Sequence, residues 1–121
     1  MDRAAFEDLV REAIAELPDE FRSRLENVAI IVDDYPSSEL KEQVGLDPDD
    51  VLFGLYEGVP LTERGFFEKP LHPDRILIFQ QEIEDECGSL EEIKEEVKTT
   101  LVHEVAHFFG MDDDYLEELG Y

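Results

Sequence analysis

A long segment near the C-terminus constrains the fold of this chain more than any other feature. It reads SLEEIKEEVKTTLVHEVAHFFG and covers residues 89–110. Ser89 followed by Glu92 forms a capping box, and Gly110 stands where a helix would end, so the segment predicts a helix of about six turns. From Leu101 onwards this helix is apolar nearly all round, which predicts that its C-terminal half is buried. The rest of the chain must therefore pack around it.

The N-terminal segment predicts an amphipathic helix that supplies part of this packing. Its apolar residues recur at helical spacing of three and four, and Pro18 follows as a stop. These residues are Phe6, Leu9, Val10, Ala13, Ile14 and Leu17.

Three short segments predict strands because they are rich in β-branched and aromatic residues. They cover residues 27–34, 51–58 and 74–81, and the first is typical of a buried strand. A short helix is predicted over 37–46, ending at Gly45, and another after the turn at the C-terminus. The connection over 58–73 is either a long hairpin loop or the lining of a binding cleft.

The charge of the chain excludes several kinds of partner. The 33 acidic and 10 basic residues give a formal net charge of −23. Such a surface repels nucleic acid phosphates and anionic membranes. We interpret the acidity first as a heavily solvated surface and second as adaptation to a high-salt cytoplasm. Imitation of a nucleic acid is a minor alternative, since the charges are spread over most of the chain.

Length and composition predict one globular domain over residues 1–121, in the cytoplasm. Eight Phe and four Tyr supply a core that disordered acidic tails lack. Cys87 is the only cysteine, so no intrachain disulfide can form, and we interpret it as a small core residue. The N-terminus lacks the apolar run of a signal peptide or membrane span.

Two histidines and a glutamate interrupt the apolar half of the long helix. His103 and His107 are four residues apart and therefore lie on one face, where both imidazoles can point at a single ion. Zinc–nitrogen bonds of about 2.0–2.1 Å suit this spacing. Glu104 lies beside the pair but is rotated away from the ion, so it can hold a water molecule rather than bind the metal. His-Glu-x-x-His on a helix is typical of metalloproteases for these reasons.

A catalytic zinc needs a third protein ligand and an open fourth position. Gly110 lets the helix stop and turn, and Asp113 follows three residues later, at the position of the last ligand in the extended form of the motif. Asp112 and Asp114 compete for this role. His72 in the long connection is a more distant alternative.

A purely structural interpretation of these residues also exists. In it, His103 and His107 are core histidines satisfied by protein partners, and the aspartates cap the terminal helix. It must explain the buried helical half, the position of Gly110 and the carboxylate at ligand spacing separately.

Nearly the whole chain resembles the small bacterial zincin-like metallopeptidase family. The resemblance rests on HEVAHFFGMDD, with LYEGVPL and PDRILIFQ upstream and YLEELGY at the end; the family pattern is His-Glu-x-x-His-x-x-Gly-x-x-Asp. It implies an α+β minimal zincin-like domain, with a mixed sheet of about three to four strands packed against a long active-site helix and an N-terminal helix. It also implies zinc (Zn2+) held by His103, His107 and Asp113, with Glu104 as catalytic base. Metzincins are similar, but their downstream methionine turn has no counterpart here.

Three functions compatible with these residues belong to different classes. The first is a zinc metallopeptidase that acts on peptide or protein substrates. An extended peptide can add along Arg75 to Gln81 if that strand is at a sheet edge, but the same strand is equally compatible with a central position. The second is a metal-stabilised protein-interaction module without peptidase activity. The third is a non-haem iron oxygenase, against which Glu104 argues. Minor candidates for oxyanion stabilisation are Tyr56, Arg64, Arg75 and Tyr115.

Overall fold

The computed structural model describes residues 1–58 and 74–121. In chain order its elements are α1 (Arg3–Ala15), α2 (Asp19–Leu25), β1 (Ala29–Asp33), α3 (Ser38–Gln43), β2 (Gly54–Glu57), β3 (Arg75–Phe79), α4 (Gln80–Glu86), α5 (Leu90–Phe109) and α6 (Asp113–Glu118). This content confirms the α+β class. Nearly all of the connection predicted over 58–73, with His72 and Arg64, lies outside the described residues.

The three strands form one small mixed sheet in the order β1-β3-β2. β1 runs parallel to β3, with Ile31 opposite Leu77. β2 runs antiparallel to β3, with Leu55 opposite the same Leu77. β3 is thus the central strand of the described sheet, and its residues Ile76 and Ile78 are fully buried.

β1 differs from the buried strand that its sequence predicts. Alternate residues face solvent, and Ile31 is 39% exposed. The reason is that only one face of β1 packs on the core; β1 is also at an edge of the described sheet. A run of β-branched residues does not by itself distinguish an edge strand from a central one.

The structure contains two helices, α2 and α4, that the sequence did not predict. α2 begins directly after Pro18, with acidic residues in its first turn and basic residues in its last turn, a charge order that favours a helix. Its Phe21 and Leu25 are one helical turn apart and both are buried. α4 begins at Gln80, so the last two residues of the predicted strand over 74–81 are helical instead.

The hydrophobic core lies between the sheet, α1 and α5. On α5, Leu101, Val102, Val105 and Ala106 are fully buried, and each large apolar side chain so buried contributes about 1.5–3 kcal/mol. The opposite face of the same helical turns is half-buried or exposed. The C-terminal half of α5 is therefore buried on one face, and the predicted burial of this half holds for that face only. Within the part of the chain that the structure describes, no helix combines the length and apolarity needed to cross a bilayer.

Candidate metal centre

Both ends of α5 are fixed by the residues that predicted them. The Ser89 hydroxyl accepts a hydrogen bond from the Glu92 backbone N–H at 3.2 Å, and the Glu92 carboxylate accepts one from Gly88 at 2.8 Å. At the other end Gly110 takes the left-handed conformation, with φ of 68°, and the chain turns back so that Met111 N–H bonds to the Ala106 carbonyl. These caps set the register of the helix and so the direction of each side chain.

His103 and His107 lie on the open face of α5. Their ring centroids are 6.3 Å apart and the ring planes meet at 74°. His103 is half-buried and His107 is exposed, and neither ring hydrogen-bonds another described residue. Core histidines satisfied by protein partners would be buried and bonded. Within the described residues, His107 is not buried and neither ring has the hydrogen-bond partner that the structural interpretation requires.

Glu104 lies beside the histidines and is tied to the sheet. Its Oε2 accepts a hydrogen bond from the backbone N–H of Tyr56 at 3.3 Å. Partial burial raises the pKa of Glu104, and the Tyr56 N–H and the nearby charges of His107 and His103 oppose that rise. A raised pKa makes this carboxylate a stronger base than an ordinary glutamate.

A cleft of about 250 Å³ runs between α5 and the chain that leads into β2. One wall is the helix, which contributes His103 and Glu104, and the other is the segment 51–54. The complete lining is Val51, Leu52, Phe53, Gly54, Glu96, Thr99, Thr100, His103 and Glu104. The first two residues of the motif, His103 and Glu104, thus open into a groove that a ligand can enter.

The aspartates after Gly110 have separate positions. Asp112 is the N-cap of α6, and its Oδ1 accepts a hydrogen bond from Asp114 N–H at 2.8 Å. Asp113 is the first residue of α6 and is exposed. Because the Asp112 carboxylate caps α6, Asp113 is a better candidate than Asp112 for a metal ligand.

Among residues 1–58 and 74–121, no three His, Cys, Asp or Glu side chains are gathered closely enough to hold a metal ion. The structure therefore brings His103 and His107 together but does not bring Asp113 to both rings. The full ligand set stays a prediction.

The donor groups around this face nevertheless fit zinc chemically. Two imidazoles one turn apart have no hydrogen bond to another described residue, and exposed carboxylates follow the helix end. Nitrogen and carboxylate oxygen are ordinary zinc ligands, and catalytic sites use three of them. His103, His107 and one aspartate are the residues that would hold the ion.

β2 supplies site residues that sequence reasoning did not assign to this role. The Tyr56 ring stacks on Phe108 with centroids 4.1 Å apart, and its hydroxyl donates to Asp74 at 2.7 Å. Gly54 packs so closely on α5 that an added Cβ would lie 2.6 Å from Thr100 Cγ2. The glycine within an apolar strand was the available signal, since such a residue often marks close backbone approach.

Two residues proposed for oxyanion stabilisation have other partners. Arg75 forms an ion pair with Glu57, in which Nε lies 2.6 Å from Oε2. The Tyr115 hydroxyl donates to the Glu20 carboxylate. Both groups are therefore engaged in surface contacts rather than free to bind a ligand.

Comparisons with known proteins identify the family of this chain. A family model described as zincin-like metallopeptidase matches residues 25–121. A solved structure of a conserved hypothetical protein from Thermus thermophilus is similar, with a TM-score of 0.55 and 25% sequence identity, over 98% of this chain and 97% of that one. No curated protein matches the chain. The family match covers most of the chain, including the helix and the segment into β2 that form the cleft, and the chain therefore belongs to the zincin-like metallopeptidase family.

Proposed function

We propose that the protein is a zinc-dependent peptidase, in which His103, His107 and Asp113 bind the metal and Glu104 is the general base. Membership of a metallopeptidase family supports the general class. The observation that carries the specific proposal is the placement of His103 and Glu104 in one open cleft, with His107 on the same helix face. Hydrolysis needs metal ligands and a base that meet where a substrate can enter.

Each residue has a defined part in the proposed reaction. A zinc ion bound there supplies a Lewis acid that polarises the scissile carbonyl and lowers the pKa of water. Glu104 accepts the proton of the attacking water and returns it to the leaving amine. The hydrogen bond from Tyr56 holds the Glu104 carboxylate in the cleft, which reduces the reorganisation needed for proton transfer.

The strand that receives the substrate is β2 rather than the strand over 75–81. The sequence left the strand over 75–81 as either an edge that a peptide could join or a central strand, and β3 is central, paired on both sides. β2 pairs only with β3 among the described strands, and its Tyr56 adjoins Glu104. An extended peptide added to the outer edge of β2 would therefore lie along the cleft.

The first experiment tests the role of Glu104. The zinc-loaded wild type and Glu104→Gln are incubated with an unfolded protein and with a mixed peptide library, and products are identified by mass spectrometry. We expect the variant to lose about 10²–10⁴ in rate while it retains the metal, because the amide cannot accept the proton. Glu91→Gln, an exposed residue of the same helix, is the matched control and should cleave at the wild-type rate. Equal rates for wild type and Glu104→Gln on a validated peptide would refute the assignment.

The second experiment identifies the metal and its ligands. Element analysis of protein purified without added metal is compared for wild type, His107→Ala, Asp113→Ala, Asp112→Ala, Asp114→Ala and His72→Ala. We expect zinc in the wild type and loss of zinc in His107→Ala and Asp113→Ala only. Zinc that is retained with no cleavage of any substrate would favour the metal-stabilised interaction module, and iron in place of zinc would favour an oxygenase.

A further inference from the structure

Glu96 lies on the same line of α5 as the two histidines. It precedes His103 by seven residues and His107 by eleven, and positions seven or eleven apart differ by about 20° around a helix. One stripe of the helix thus carries Glu96, His103 and His107 in order. Glu96 is half-buried and lines the cleft that His103 and Glu104 also line.

α5 runs alongside β2 and the segment 51–53 that leads into it, and the contacts between them recur at matching intervals. Tyr56 contacts Glu104, and Gly54 contacts Thr100 one helical turn earlier. Four helical residues advance about 6 Å and two strand residues advance about 6.6 Å, so the two elements keep their alignment. Another turn towards the N-terminus of α5 brings Glu96 level with the segment 51–53.

This end of the cleft combines apolar walls with one carboxylate. Val51, Leu52 and Phe53 form the apolar side, and Glu96 lies on the helix side. The neighbouring Glu95 pairs with Lys98, whereas Glu96 has no ion pair with any described cation. Glu96 thus lines the cleft without a counter-ion among the described residues, and a cationic ligand would supply one.

We propose that this end of the cleft is a specificity pocket for a basic side chain, Lys or Arg, of the bound peptide. The aliphatic stem would lie on the segment 51–53 while the cation pairs with Glu96, as long basic side chains commonly do. Glu96 is about 10 Å along the helix from His103, which an extended peptide covers in about three residues. The basic residue is thus about three positions from the scissile bond. This inference rests on the proposed peptidase function and names its substrate class.

The test measures binding separately from cleavage. A set of fluorescent peptides is made, each with a single Lys at one of the three positions on either side of the centre. Each is compared with a peptide of the same length that has norleucine in place of Lys. Affinity for the zinc-loaded Glu104→Gln protein is measured by anisotropy. We expect the Lys peptide at one position to bind about three- to tenfold more tightly. That preference should disappear in Glu104→Gln/Glu96→Gln.

A control variant with the same change of charge separates binding in the pocket from non-specific attraction. Because the whole chain carries −23, any Lys peptide gains some non-specific attraction. Glu104→Gln/Glu95→Gln makes the same change of charge one residue away, outside the cleft, and should keep the preference. Glu104→Gln/Glu96→Lys should reverse it and favour a Glu peptide.

The outcomes separate this inference from the proposed function. If the Lys preference survives Glu96→Gln, or is lost equally in Glu95→Gln, the specificity pocket is wrong even where the wild type cleaves peptides. Absence of binding by every peptide overturns it as well. If the preference depends on Glu96 but the wild type cleaves no peptide, the pocket stands and the peptidase function fails.

Discussion

The backbone N–H of Tyr56 donates a hydrogen bond to Glu104 Oε2 across 3.3 Å, between residues 48 positions apart in the chain. This bond joins β2, an edge strand of the described sheet, to the motif helix. The Tyr56 ring reinforces it by stacking on Phe108 with an interplanar angle of 17°. The carboxylate proposed as general base is therefore positioned by a different element from the one that carries it.

Glu104→Ala should be less stable than Glu104→Gln. The Gln side chain keeps an acceptor for Tyr56 N–H, whereas Ala leaves that donor without its partner. The difference in the free energy of unfolding should be about 1 kcal/mol, measured by urea denaturation. Equal stability of the two variants would mean that the hydrogen bond contributes nothing to the fold.

Gly54→Ala should separate β2 from α5. The added Cβ would lie 2.6 Å from Thr100 Cγ2 and 2.9 Å from the Leu77 carbonyl oxygen, so the strand must shift. We expect a loss of about 1–3 kcal/mol in the free energy of unfolding.

A matched control and a second variant test the cause of that loss. Gly88→Ala, whose Cβ would meet nothing closer than 3.7 Å, should change stability far less. Thr100→Ala in the Gly54→Ala background should recover part of the loss, because it removes one of the two clashes. If Thr100→Ala restores no stability, the strain in Gly54→Ala comes from the contact with the Leu77 carbonyl oxygen.

Gly110→Ala should destabilise the protein by about 1–2 kcal/mol. Gly110 has a φ of 68°, and an added Cβ would meet no atom within 4 Å, so the cost comes from the backbone conformation and not from a clash. Gly110→Asn should cost less, since Asn tolerates the left-handed region. Thermal unfolding of the three proteins checks this order; Ala and Asn variants of equal stability would contradict it.

The contact between α1 and α5 should weaken in acid. Glu16 lies 2.8 Å from Lys94 Nζ and 3.5 Å from Lys98 Nζ. The hydrogen bond from Lys94 is the main cause that lowers the pKa of Glu16 below its ordinary value of 4.5. A lowered folded-state pKa gives stability that is present above pH 4.5 and is lost as pH falls through the folded-state pKa.

The corresponding experiment compares wild type with Glu16→Gln across pH. The wild type should be slightly more stable at neutral pH, and the gap should close below pH 4.5 as Glu16 becomes protonated. Glu7→Gln, at an exposed residue of the same helix, should show no such closing gap. A gap that persists in acid would mean that charge on Glu16 is not its cause.

The local signals predicted α1, α3, α5 and α6 because each depends on residues close together in the chain. Ser37 and Ser89 are N-caps, and Gly45 and Gly110 have positive φ where their helices end. The same signals were weaker for α2 and α4, which are short and begin without a side-chain cap. Strand positions were predicted from β-branched residues, but their order in the sheet was not.

By itself, the sequence determined that His103, Glu104 and His107 lie on one helix, since the spacing of four and the capping residues act within a few turns. Only the tertiary structure decided that β2, rather than the strand over 74–81, is the edge beside Glu104 among the described strands, and that Gly54 and Tyr56 face the motif helix. The physical reason is that strand order and helix–sheet contact depend on packing between residues far apart in the chain, which no local pattern records.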